Sequence, residues 1–273
     1  MTGMAVSEGW QARLDLEFAL SQQKTVISKR RHSGPLTIQR PFYPEGDVCH
    51  LYLLHPPGGV VAGDSLTINI NATADSSALI TTPAAGKFYR SQGALAKQKV
   101  SIKVAAGATL EWLPQETIIY EGAQVVSELL IELDEKASFI GWEVLALGRP
   151  AANEGFTTGE VTLSWQIYCA DTLFYQERIK LDARAFAARW GLNGHSASGT
   201  LLVYPASSVQ LQKVQELIGD QPGRGVTLID DLLISRALDN RADRLREFFQ
   251  QVWVLLRPDV LNRHACEPRI WAT

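Results

Sequence analysis

Few residues in this chain are spaced for chemistry. The stretch "HPPGGVVAGD", His55 to Asp64, sets two prolines, three glycines and an aspartate between an apolar run and the alternating "SLTINI". A phosphate cradle built on such glycines needs a lysine in a GK[ST] context and a helix amino terminus behind it. The residues after Asp64 carry the period of a strand instead. A nucleophile elbow needs GxSxG at a strand-to-helix turn, and the nearest approach, "GHSAS" from Gly194 to Ser198, lacks the last glycine and runs into strand-like "GTLLVY". The histidines His32, His50, His55, His195 and His264 show no HExxH or HxH spacing. On one strand His50 and His55 point to opposite faces, so each is expected as a partly exposed strand residue rather than a metal ligand. Glu111 and Glu116, either side of Leu113-Pro114, could share general acid and base work if their surroundings drove their proton affinities apart. They come with no nucleophile motif and no cofactor fingerprint.

Read by residue type, the glycine stretch is a turn. Pro56 and Pro57 stop a strand, Gly58, Gly59 and Gly63 supply positive φ, and Asp64 hydrogen-bonds the turn. It is longer than a two-residue hairpin requires, and its apolar centre, Val60-Val61, implies that the loop packs against something.

The elements that would position these residues are mostly strands. Even positions from Trp10 to Leu20 are apolar, and the same period returns at Leu66, Ile68 and Ile70, at Val100, Ile102 and Val104, and at Val161, Leu163, Trp165 and Ile167. "SALITT", "EWLPQETIIY" and "SFIGWEVLALG" are apolar on both faces, as strands buried between two layers are. Only "SVQLQKVQELI" and "ADRLREFFQQVWVLLR" carry a helical period; Asn240 is placed to cap the second and Pro258 to stop it. A mainly β single domain of stacked sheets with two helices near the carboxyl terminus is expected.

Composition narrows the partners. The 273 residues carry 26 basic and 29 acidic side chains, with neither sign gathered into a block, which argues against nucleic acid. No apolar run approaches the roughly 20 residues that span a bilayer, and the amino terminus has no secretory pattern. Cys49, Cys169 and Cys266 are odd in number and far apart, against a disulfide framework. A cytoplasmic protein without a membrane partner is expected.

Five longer stretches carry a resemblance. "GPLTIQRPFYPEGDVCHLYLLHPPGGVVAGD", "LITTPAAGKFYRS", "LEWLPQETIIYEGA", "LGRPA" and "LRPDVLNRHACEPRIWAT" closely resemble, in order, the urease accessory protein UreD family, called UreH in some bacteria. The resemblance runs from Trp10 to the carboxyl terminus. It departs at Ala62, where the family commonly has another glycine, and at "AANEGF", Ala151 to Phe156. It implies one UreD-like domain over residues 1–273, with 1–9 disordered, folded as stacked, β-helical-like sheets. It also implies a non-catalytic maturation factor that binds urease apoprotein and links it to UreF and, through UreF, to the GTPase UreG. Nickel would pass transiently through an internal, water-filled route into the nascent dinuclear site, with no tightly bound cofactor.

A route must bind its cargo weakly enough to release it, which favours scattered carboxylates over a full ligand set. Acids set among apolar strand residues are the candidates: Asp64 at the end of the glycine stretch, Glu143 in "FIGWEVLALG" and Glu177 in "LFYQERIKL". Glu111 and Glu116 are secondary ones. Lys87, Phe88, Tyr89 and Arg90 in "GKFYRS" combine charge and aromatic area as partner-binding surfaces do. Ile270-Trp271 is expected to dock on the chain's own body. The rival readings are a β-rich hydrolase using the Glu111 and Glu116 pair, and a carbohydrate-binding β-sandwich stacking sugars on aromatics that fall mostly in core registers.

Overall fold

The computed structural model describes residues 9–272, so the expected disorder of residues 1–9 lies, apart from Gly9, outside the described residues. The chain opens on a hairpin of β1 (Gln11–Ser21) and β2 (Lys24–Ser33), in which Ala12, Leu14, Leu16 and Phe18 are buried as the alternation of β1 requires. A short β3 (Thr37–Ile38) leads into a stretch where successive strands change sheets. β4 (Cys49–Leu54) is followed by β5 (Ser65–Ala72), β6 (Ser77–Thr81), the short β7 (Gly86–Phe88), β8 (Ala96–Val104), β9 (Thr109–Leu113) and the short β10 (Thr117–Ile119). β11 (Gln124–Leu133), β12 (Ser138–Leu147) and β13 (Glu160–Cys169) complete the run. β1, β5, β8, β11 and β13 pair in parallel in one sheet, and β4, β6, β9 and β12 pair in parallel in the other. The result is a solenoid-like stack.

Antiparallel strands finish both sheets. β14 (Thr172–Leu181) hairpins back on β13 and, with β2 at the far edge, brings the first sheet to seven strands. After a short α1 (Ala183–Ala187), β15 (Ala197–Tyr204) adds to β12; α2 (Ser208–Ile218), β16 (Arg224–Ile229) and β17 (Leu232–Asp239) follow, and the second sheet reaches ten strands. α3 (Ala242–Leu261) ends the run of regular elements and packs across β12, β15 and β17.

The ten-stranded sheet is therefore covered twice. On β12, Phe139, Leu145 and Leu147 join the core between the sheets, while Ile140, Trp142 and Val144 join a second core beneath the helices. That double burial is why β6, β9 and β12 read as apolar on both faces.

The two expected helices are α2 and α3, with α1 in addition. Ser207 and Gln210 cap α2 reciprocally, and the Asp182 carboxylate caps α1 by accepting from the Ala185 amide at 2.8 Å. α3 differs from expectation at both ends. Its cap position is Arg241 rather than Asn240, without a side-chain bond, and the helix continues through Pro258 to Leu261. Pro258 removes the bond to the carbonyl of Val254, which lies on the exposed side of α3 and can turn to water, while Arg257 and Leu261 anchor the last turn in the protein. The expected docking of the carboxyl terminus is observed: Trp271 packs 5.6 Å from both Trp142 and Trp253, and its Nε1 donates to Thr81 Oγ1 at 3.0 Å.

Candidate functional site

The glycine stretch leaves β4 and turns at the edge of the space between the sheets. Gly58 and Gly63 hold positive φ, of 78° and 87°, as their positions in a tight turn require. Gly59 does not. A Cβ there would lie 2.2 Å from the Tyr89 ring, so this glycine serves the close approach of an aromatic rather than an unusual dihedral. Val60 is buried and exchanges backbone bonds with β7 and its neighbour, Val60 N to Lys87 O at 2.7 Å and Tyr89 N to Val60 O at 2.9 Å, whereas Val61 is exposed. Asp64, expected to border polar interior space, has both oxygens committed to backbone. Oδ1 accepts from the Trp10 amide at 2.7 Å and Oδ2 from the Val61 amide at 3.0 Å. It lines neither of the cavities that follow.

The larger cavity, about 390 Å³, runs inward from this loop. Its outer wall includes His55, Pro56, Gly58, Gly59 and Lys87; deeper, Gln98, Trp112, Ser127 and Glu143 face it. Burial holds His55 below its ordinary range against the opposing pull of Asp64, which leaves a neutral imidazole near the loop. Glu143 stands on the face of β12 that looks toward the seven-stranded sheet, in register with Leu145 and Leu147. Trp165 Nε1 donates to its Oε2 at 3.1 Å, and Ser127 bonds it as well. These neutral donors offset only part of the cost of burial, and the Glu143 carboxyl is pushed up to about 7.

Glu143 also lines a second, smaller cavity of about 60 Å³, well above the roughly 10–15 Å³ that one water needs. Glu177 borders the same space with Trp165 and Thr200. The structure thus brings Glu143 and Glu177 to one cavity. Glu177 is partnered: Arg236 reaches it from the other sheet, and Tyr175 Oη accepts from the same guanidinium nitrogen at 2.7 Å.

On the opposite face of the ten-stranded sheet the acids are neutralised. Glu111 accepts from Trp253 Nε1 at 2.6 Å and from Arg257 Nε and NH2, both at 2.9 Å. Arg257 also donates to both oxygens of Glu45, at 2.8 and 2.7 Å, and His50 Nε2 lies 2.7 Å from Glu45 Oε1. His50 is fully buried, contrary to the expected partly exposed histidine, because its place on β4 faces this network. Burial opposes ionisation of Glu45, but His50 and Arg257 outweigh it and hold the carboxyl at about 2. Glu116 pairs separately with Arg246 at 2.8 Å. Glu111 and Glu116, each held by its own arginine, do not form the shared acid and base of a hydrolase. In "GHSAS", His195 Nδ1 lies 2.8 Å from Leu192 O, and Ser196 donates to Asn240 O at 2.9 Å, so neither serves the other.

The "GKFYRS" residues divide. Phe88 is core, Lys87 lines the larger cavity, Tyr89 packs against Tyr120 at 4.8 Å between ring centres, and Arg90 is exposed. The aromatic side chains are mostly buried, with Trp10 and Trp190 the exposed tryptophans among the described residues. Reasoning from the sequence missed Gln98, Ser127 and Thr200. Each is a polar residue in an apolar, inward-facing row, the same signal that singled out Glu143. Among the described residues no cluster of three or more His, Cys, Asp or Glu side chains is placed to hold a metal ion, and no helix is long and apolar enough to cross a membrane.

The sequence model for the family described as UreD urease accessory protein matches residues 11–272. Among similar proteins, one named Urease accessory protein UreD from Citrobacter koseri is 44% identical over 271 residues, 98% of this chain and 93% of its own length. Proteins of the same name from Enterobacter sp. and Pseudomonas putida are 43% and 42% identical, over 98% and 97% of this chain and 97% and 95% of their own lengths.

Proposed function

Since the chain belongs to the UreD urease accessory protein family, we propose that it serves urease maturation as a non-catalytic scaffold with a path for nickel between its two sheets. The cargo is a divalent cation. It enters beside the glycine turn, passes Glu143 and reaches Glu177, while Asp64 holds the turn that shapes the entrance. The urease apoprotein and a UreF-like protein are the partners, with a UreG-like GTPase joined through the latter in the cytoplasm. Lys87, Tyr89 and Arg90 are the surface beside the entrance that a partner would cover.

The observation that carries this reading is Glu143. A buried acid that serves only the fold is ordinarily met by a cation, as Glu111 is. Glu143, partly buried, has only neutral donors among the described residues and stands in the wall shared by two cavities. A carboxyl titrating near 7 exchanges its proton for a metal at little cost at neutral pH. One or two oxygens per station hold a hydrated divalent ion too weakly to trap it, which is the requirement for passage.

The test is urease activation with Glu143→Ala at limiting nickel, beside a pull-down of the assembled complex. Assembly is expected to persist, with nickel content and urease activity reduced severalfold. Normal nickel content would remove the path from the reading and leave the scaffold.

A further inference from the structure

Glu177 is approached from two sides. From within, its carboxylate borders the smaller cavity together with Glu143, in a lining that, among the described residues, holds these two acids and no cationic residue. From outside it is met by Arg236. The register of β12, β15 and β17 places Glu143, Thr200 and Arg236 in one cross-strand row, and the neighbours of Arg236 at alternate positions, Ile234 and Leu238, pack in the core between the sheets. Arg236 therefore starts on the inward face of the ten-stranded sheet and crosses to Glu177 and Tyr175 on β14. β14 is the last strand of the seven-stranded sheet, so the contact straps the open seam between the two sheets. The Arg236 side chain is 49% exposed and that of Glu177 16%, which places the strap between the cavity and solvent.

We propose that Arg236 is the gate at this end of the path: at rest its guanidinium occupies Glu177, and a divalent cation arriving from the Glu143 side displaces it and leaves through the seam. This rests on the passage reading above. A half-exposed ion pair costs little to open, because the released guanidinium is rehydrated at once. A dication attracts the carboxylate more strongly than the single charge it replaces. The gate thus opens to a divalent cation and closes behind it, and the cavity keeps no net site for the metal.

Nickel(II) binding to the full chain at pH 7.5, by equilibrium dialysis, separates a gate from a mere staple. Arg236→Gln is expected to bind nickel roughly tenfold more tightly, the order expected when a positive charge beside the carboxylate no longer repels the dication near a protein surface. Arg236→Lys keeps a positive charge at the seam and is expected to bind as the unmodified chain does. Adding Glu177→Gln to Arg236→Gln is expected to abolish the gain. Tyr175→Phe, which loosens the guanidinium without touching charge, gives a smaller gain and serves if Arg236→Gln does not fold. Unchanged nickel affinity in Arg236→Gln or Tyr175→Phe, with a lowered melting temperature only, overturns the gate and makes the contact a staple. If Glu143→Gln weakens nickel binding in that case, the passage reading stands without its gate. If Arg236→Gln binds more tightly while Glu143→Gln changes nothing, the gate at Glu177 stands and the deeper path does not.

Discussion

Glu111 and Glu143 lie on adjacent parallel strands, β9 and β12, but on opposite faces of one sheet, and their surroundings divide the molecule into two regions. Under α3, Glu111 meets a guanidinium and an indole, and the space around it is filled. Between the sheets, Glu143 meets an indole and a hydroxyl, and the space around it is open. Burial alone does not decide what an acid is for. The deciding factor is whether the element packed against it supplies a cation: α3 supplies Arg257, and the facing seven-stranded sheet supplies Ser127 and Trp165.

The contrast breaks most visibly at Arg257. Arg257→Met leaves Glu111 buried without its cation and Glu45 with His50 as its remaining partner, and a loss of about 3–5 kcal/mol in urea-monitored stability is expected. Adding Glu111→Leu to that variant should recover part of the loss, since one uncompensated charge goes with it.

Titration gives the two faces opposite signs. Between pH 4.5 and about 7 the native state keeps a proton on Glu143 that the unfolded chain has released, so this group lowers stability as pH rises through that window and has its full unfavourable effect above it. Glu143→Gln removes the effect. It should be more stable than the unmodified chain by up to about 3 kcal/mol at pH 8 and equal to it near pH 4.5, as read from unfolding midpoints across pH. Glu45, held at about 2, acts the other way: its contribution is complete above 4.5 and is lost as pH falls toward 2. A single slope shared by both faces in the unmodified chain and in Glu143→Gln would erase the distinction.

Smaller effects sharpen the comparison. Trp271→Ala empties a half-buried aromatic site on the helix face and removes one of the two hydrogen bonds of the Thr81 hydroxyl, which still donates to Leu113 O, for an expected loss of about 2 kcal/mol in thermal unfolding. Asp64→Asn keeps one acceptor oxygen for the backbone of the turn but gives up the charge, and about 1 kcal/mol is expected. If Asp64→Asn also reduced nickel transfer in the activation assay by as much as Glu143→Ala, the carboxylate would belong to the path as well as to the turn.

How much of this was legible in the sequence depended on the range of the interactions. β1, β5, β8 and β13 show in the alternation of apolar residues, because one face of their sheet meets solvent. β6, β9 and β12 show as continuous apolar runs, because theirs is covered twice. α1 is too short to display a helical period, and α3 runs past Pro258, where the rule that proline stops a helix ends it, because Val254 faces water. Glu143 was legible as an acid in an apolar row. Gln98, Ser127, Thr200 and Arg236 carried the same mark in rows that looked less continuous. The network of Glu45, His50, Glu111 and Arg257 was not legible, since its members lie up to 212 positions apart and nothing local to His50 announces a buried partner.

α3 also governs the order in which the fold can close. The face it covers is built largely from β12, β15 and β17, together with Leu79 and Leu113 from strands much earlier in the chain, and the arginine that neutralises Glu45 and Glu111 arrives only at position 257. On a ribosome, the strands through β17 can stack into sheets while that face still lacks its cover and its counter-charge. Contacts of such long sequence separation form late, and the sheet surface stays open to other chains until they do. A partner or chaperone that meets the protein during synthesis therefore meets a different surface from the one the finished fold presents.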